Sequence, residues 1–429
     1  MEDKKIYPEE LDEEEDSRPQ NIISANEVFD EDSQQMYTDE LDNRIDMLQG
    51  DPHNIVNYQQ SIEHYKQLGK PETVQQIRMQ ANKQAVLTQE MWKDWIEDAL
   101  IEATSFQERK KISEIFDMAL DSFNYFDIAK KYGEHILALY TDAENDGSIR
   151  DKEVKKVLDK ILRVWLLDLG RSSEIWQLYL KFEAEIRNWR DTEEDKRQKE
   201  IAIRGLYKKK LLFPSIDIDE IWDDYKEWEK DEGKVKEMEE RYKKSNEKIE
   251  LVIKFEDNVN PLFKDINTLS GNSLFTLDLA NLLEYYQQHL PDIAGNNFSY
   301  YELYIERLLC KCPAQDTIWE YYLTCADLCK SESVKNQIYR RAYKNCRDNI
   351  DFKLGYLRSQ EKLNVSIEEF KKNINEFIED AADNPQLEYM FRKEYIEYLS
   401  RHLNSEHDNE LAEEIRRVFT EAIQEIPGI

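Results

Sequence analysis

Residues 176–183 read Trp176-Gln177-Leu178-Tyr179-Leu180-Lys181-Phe182-Glu183, and residues 222–229 read Trp222-Asp223-Asp224-Tyr225-Lys226-Glu227-Trp228-Glu229. In both, aromatic residues stand at i, i+3 and i+6 and therefore share one face of a helix. A weaker copy begins at Trp319 and Tyr322, with Cys325 in the third position. Others begin at Trp92/Trp95, Tyr125/Ile128/Tyr132 and Phe352/Tyr356. A large aromatic knob that returns along a chain describes helical units, each burying its face only against its neighbours. The expected fold is all-α, an α-solenoid of antiparallel helix pairs.

Composition agrees. Only 11 glycines and 10 prolines punctuate 429 residues, too few turn breakers for a β-rich or α/β chain of this size. Hydrophobic residues at 40% and charged residues at 35% suit long amphipathic helices. The net charge is -32, with 91 acidic residues against 59 basic ones, so the bulk of the surface repels phosphate backbones. Lys208, Lys209 and Lys210 form a local exception and read as a solvated helix end. The charged start Met1-Glu2-Asp3-Lys4-Lys5 carries no signal-peptide pattern, and no stretch approaches the length of an apolar membrane span. With five cysteines, an odd and sparse set, the expected setting is intracellular and reducing.

Along the chain, residues 1–40 form an acidic tail expected to be disordered, with Asp12-Glu13-Glu14-Glu15-Asp16 at its centre. Residues 41–257 are read as amino-terminal repeats, 258–271 as a hinge bearing Pro261 and Gly271, and 272–429 as carboxy-terminal repeats. Five helix pairs precede the hinge and about four follow it, the later ones starting near Leu277, Trp319, Phe352 and Tyr389. Ile112, Ile115, Phe116, Ala119 and Leu120 mark the buried face of the second pair's B helix. Met238, Tyr242, Ile249 and Ile253 suggest one packed face on a long helix ending near 257.

This combination resembles the half-a-TPR (HAT) repeat family. There the A helix has the form W-x-x-Y-x-x-F/W-E, and the B helix carries an I/L-Y/F-x-R-A-L/I/V core. Trp176 to Glu183 and Trp222 to Glu229 match the A helix in full, and Ile338-Tyr339-Arg340-Arg341-Ala342 matches the B helix closely. Ile305 to Leu308 with Pro313 matches in part, whereas the first three pairs are degenerate. Within the family, Met91-Trp92-Lys93-Asp94-Trp95-Ile96 and the run from Leu206 to Trp228 are similar to the U4/U6 snRNP recycling factors, which have an acidic tail before a HAT array. The resemblance implies a nuclear, non-enzymatic scaffold in RNA processing, with splicing and U4/U6 snRNP assembly or recycling foremost. It also implies homodimerisation through about residues 315–429, with RNA contact indirect. Alternatives are a direct RNA-binding chaperone, or a HAT scaffold of another particle such as a U1 snRNP factor or cleavage stimulation factor. The family's RRM domains have no counterpart up to Ile429, so RNA annealing is not placed on these residues.

The aromatic stripe reads as core packing rather than a ligand cage, since each ring can bury about 150–250 Å². Glu183 and Glu229 are expected to bond to a neighbouring repeat rather than to serve acid–base chemistry. Cys310, Cys312, Cys325, Cys329 and Cys346 lack paired zinc-ligand spacing and read as small packing residues. His53, His64, His135, His289, His402 and His407 form no triad or metal spacing, and no phosphate loop or nucleophile elbow occurs. No catalytic, cofactor or metal residue is therefore expected. The residues that matter are those of the repeat motif: Trp92, Trp95, Trp176, Tyr179, Phe182, Glu183, Trp222, Tyr225, Trp228, Glu229, Trp319, Tyr322, Tyr339 and Arg341. A basic peptide segment of an snRNP protein is the partner that the acidic surface suits.

Overall fold

Apart from Tyr125, which stands one residue before its helix, each aromatic knob of the sequence falls on a helix of the computed structural model, which describes residues 47–48, 50–51, 53–142, 149–265, 277–382, 384–403 and 409–424. The tail expected at 1–40 lies outside the described residues. Residues 1–52 form one unit, of which only Met47, Leu48 and Gly50 are described as helical; residues 53–429 form the other.

In that second unit helices follow one another in pairs. The first pairs are α1 (Ile55–Gln67) with α2 (Pro71–Gln84), α3 (Gln89–Glu102) with α4 (Phe106–Ser122), and α5 (Phe126–Asp142) with α6 (Asp151–Trp165). Then come α7 (Ser172–Lys181) with α8 (Glu193–Lys210) and α9 (Ile218–Trp228) with α10 (Glu232–Asp265). The last four are α11 (Leu277–Ala294) with α12 (Phe298–Leu309), α13 (Asp316–Ala326) with α14 (Glu332–Asn345), α15 (Ile350–Lys362) with α16 (Ile367–Asp380), and α17 (Pro385–His402) with α18 (Asn409–Gln424). The architecture is an α-solenoid, and no strand occurs among the described residues.

Short polar side chains set many of the helix starts. Asn54, Thr88, Thr192, Asn297, Ser331, Asn349, Ser366 and Asn384 each accept from a backbone N–H of the first turn. Ser105 and Glu108 close a reciprocal capping box at α4. The expected face of α4, from Ile112 to Leu120, is buried.

Two sequence expectations need correction in α10. Its buried seam runs through Met238, Ser245, Val252 and Val259 at seven-residue intervals, with Glu256 beside it, whereas Ile253 faces solvent. The polar Ser245 and Glu256 disguised that seam in the sequence. Because the seam continues to Val259, the helix runs on to Asp265 with Pro261 inside it, and the hinge expected at 258–271 begins too early. Packing of Phe255 against Tyr285, Tyr286 and Tyr304 outweighs the single backbone bond that Pro261 removes. Residues 266–271 lie outside the described residues.

Within the unit, later helices return to earlier ones. Arg163 of α6 donates to both carboxylate oxygens of Glu302 on α12, at 2.9 and 2.7 Å. Arg341 of α14 donates to the Ser122 carbonyl at the end of α4 (3.0 Å), and Arg347 donates to the Gln84 carbonyl at the end of α2. The stretch read as two arrays thus makes direct contacts across its length.

The α14–α15 pair is held close by a glycine. A Cβ on Gly355 would stand 2.2 Å from the Tyr339 ring, so the motif tyrosine occupies a notch that only glycine leaves. Gly355→Ala is expected to cost about 1–3 kcal/mol through overpacking. Urea unfolding checks this; an unchanged midpoint would show that the ring moves aside freely.

Candidate interaction surfaces and the motif residues

Most of the motif rings are interior. Trp92 and Trp95 stack with ring centroids 5.4 Å apart and are fully buried. Trp176 donates from its indole to the Leu206 carbonyl of α8 at 3.0 Å, and Trp319 to the Pro313 carbonyl at 2.8 Å. Tyr207 of α8 lies between repeats, 5.2 Å from Trp176 on one side and 5.2 Å from Tyr225 on the other. Trp222 stacks on Tyr242 at 5.1 Å. Tyr179, Phe182 and Tyr322 are buried too, with Trp228 and Tyr339 half-buried. No ring cage opens to solvent at these positions.

The glutamate that ends each motif has one recurring job. Immediately after α7, a π-helical turn at Phe182–Ile186 carries Glu183 inward, the Arg187 N–H closing it on the Phe182 carbonyl at 2.8 Å. Glu183 meets Lys155 of the preceding α6 at 2.6 Å and Arg187 at 3.0 Å. Glu229 meets Arg204 of the preceding α8 at 2.6 Å. Burial alone would raise the Glu229 pKa, but the Arg204 bond and the Asp231 N–H take it below the usual carboxylate range. Both glutamates tie one repeat to the one before.

Arg341 has a third carboxylate, which the sequence reading did not single out. It grips Glu306 of α12 with two parallel bonds, 2.5 and 2.8 Å long, while the Tyr322 hydroxyl donates to Glu306 at 3.0 Å. One turn earlier on α12, buried Glu302 faces Arg163, and its pKa is raised, chiefly by burial. The signal was available: Glu302 and Glu306 are the two acids of a largely apolar and aromatic helix, spaced i, i+4.

Of the lysine triplet expected to be a solvated helix end, Lys208 and Lys209 are exposed as expected, whereas Lys210 is buried. Lys208 and Lys209 face Glu237 and Asp159, at 3.6 and 3.1 Å. Lys210 is 1% exposed, bonded to Ser172 Oγ at 2.5 Å with Asp217 at 3.9 Å. Burial lowers its pKa to about 8. The unfolded chain, with the ordinary value near 10.5, then binds more protons than the folded one between about pH 8 and 10.5. Stability should therefore rise with pH across that window, and the penalty of up to about 3 kcal/mol should stand in full below it. Lys210→Met should flatten this rise in urea unfolding series at pH 7.5 and 10; a parallel rise in both proteins would refute the assignment.

All five cysteines are free thiols, and the described residues contain no group of His, Cys, Asp and Glu placed to hold a metal. Nor is any helix among them long and apolar enough to cross a membrane.

Comparison with known proteins places this arrangement. The relatives include the proteins named spliceosome associated factor 3, U4/U6 recycling protein, from Pongo abelii and Homo sapiens. Each is 21% identical over 384 residues, covering 86% of this chain and 36% of the relative. The zebrafish (Danio rerio) protein of the same name is 20% identical over 380 residues, covering 85% of this chain and 37% of its own. This chain thus spans little more than a third of the length of these curated relatives. Among solved structures, the crystal structure of CstF-77 aligns at a TM-score of 0.39 and 12% identity, over 79% of this chain and 84% of that one. A family model described as the suppressor of forked protein (Suf) matches residues 39–255, just over half of the chain, and this protein belongs to that family.

Proposed function

We propose that this chain is a non-enzymatic protein-interaction scaffold of a nuclear RNA-processing particle, acting in pre-mRNA splicing at U4/U6 snRNP assembly or recycling. The observation that carries this reading is the inward placement of the motif rings and their glutamates, which leaves helix surfaces of strongly acidic character for contact with a partner. The names of the relatives supply the process. A basic segment of an snRNP protein suits such a surface, and would associate fast and lose affinity with salt. Pairing with a second copy through residues 315–429 is part of the proposal. Phe419 and Ile423, four residues apart on the last helix, are each more than half exposed and offer apolar contact area.

Pull-down with the purified chain should recover basic snRNP proteins at low salt and lose them at high salt. Recovery of none at low salt would defeat the scaffold reading. A gel shift of U4/U6 RNA by this chain alone at moderate salt would favour the direct RNA chaperone instead. Light scattering at micromolar concentration should show a dimer that Phe419→Glu dissociates; a monomer throughout would remove the pairing.

A further inference from the structure

The proposed scaffold leaves unexplained a concentration of positive charge on a chain that carries an excess of acids. Where the end of α2 meets α14, α15 and α16, a cleft of about 480 Å³ opens between them. Lys83, Lys344, Arg347 and Lys372 line it. Among the described residues, none of Lys83, Lys344 and Lys372 makes an ion pair, although 91 acids were available to the fold. Arg347 uses its guanidinium on the Gln84 carbonyl and on His53, 3.4 Å away, and so pins the cleft's edge without being neutralised. Lys344 lines the cleft; desolvation, Arg340 and Arg347 together push its pKa below the ordinary value against the opposing pull of Glu376. Repulsion that Glu376 offsets only in part is relieved further by a bound anion.

The wall that α16 forms, although it carries Lys372, is mainly acidic. Glu376, Glu379 and Asp380 of α16 face the same space, with Lys353 already held by Asp380 at 3.6 Å. A nucleic-acid strand, carrying a phosphate at every step, would meet that wall as well as the basic one. A peptide can present an acidic or phosphorylated residue to one wall and a lysine or arginine to the other. A second hollow of about 150 Å³ shares Asn375 and Glu379 with the first, which extends the path along α16 as an extended segment requires.

We propose that this cleft docks a mixed-charge peptide segment, its anionic residue seated between Lys344 and Arg347 and its basic residue against Glu376 and Glu379. The inference rests on the peptide-docking reading above and adds a second, opposite polarity to it.

Fluorescence anisotropy on the full chain tests it with three probes at low salt: a labelled octapeptide Glu-Asp-phosphoSer-Glu-Gly-Lys-Arg-Lys, an all-basic octapeptide and hexauridylate. The mixed peptide should bind, and Lys344→Glu should weaken it about tenfold or more. Lys196→Glu, the same charge change on exposed α8, should leave it within about twofold. Circular dichroism should show both variants folded. Binding insensitive to Lys344→Glu, preference for hexauridylate, or no binding of the mixed peptide overturns the site. If the all-basic peptide still binds while the mixed one does not, the cleft fails and the acidic scaffold stands; if neither peptide binds, both fail.

Discussion

Replacing Arg341 with Ala is expected to lower the unfolding free energy by about 3–5 kcal/mol, because it strands a buried carboxylate. Glu306 is 1% exposed and receives two of its three hydrogen bonds from this guanidinium. Arg341 also satisfies the Ser122 carbonyl at 3.0 Å and lies 5.3 Å from the Trp319 ring and 5.4 Å from Phe123. The loss therefore falls on α12, α13 and the end of α4 together. Removing both charges by Arg341→Met with Glu306→Leu should recover more than half of the loss, since neither desolvated charge remains. Urea unfolding of the four proteins of this cycle is the measurement. A single-variant loss below about 1 kcal/mol would mean that water reaches the pair and that the contact between distant repeats is open in solution.

How much of this was legible beforehand depends on the period of each signal. Rings at i, i+3 and i+6 specify a buried helix face whatever surrounds them, so Trp176, Tyr179, Trp222 and Tyr225 gave the solenoid directly. The α10 seam was misread because polar Ser245 and Glu256 occupy core positions, and periodicity of apolar residues alone skips them. Lys210 was misread for a related reason. A lysine run looks solvated, and nothing local says that Ser172, 38 residues earlier, closes over one member of it. The cleft was invisible for the strongest reason. Lys83 stands 261 residues before Lys344 in the chain, and only the return of the later helices onto α2 brings it beside Lys344 and Lys372. Contacts at long sequence separation leave no period to read.

Trp319→Ala should cost about 3–5 kcal/mol, and Trp228→Ala less than about 2, although both residues occupy the same motif family. Trp319 is fully buried, bonds the Pro313 carbonyl at 2.8 Å and packs beside Tyr322 and Arg341. Trp228 is half-buried, with Tyr207 at 5.8 Å and the Arg204 guanidinium at 5.5 Å, so part of its area stays in water in either state. The shape of the transition carries as much information as its midpoint. In an open array each repeat touches only its neighbours, and a damaged repeat can melt apart from the rest. Here the repeat of Trp319 adjoins Arg341, which reaches back to Ser122 over 219 residues of chain. Trp319→Ala should therefore shift the whole unfolding curve with its slope retained, rather than split it in two. Coincident curves from tryptophan fluorescence and far-ultraviolet circular dichroism would fit that expectation. Two separated transitions, or equal costs for the two tryptophans, would show that the return contacts do not couple the early repeats to the late ones.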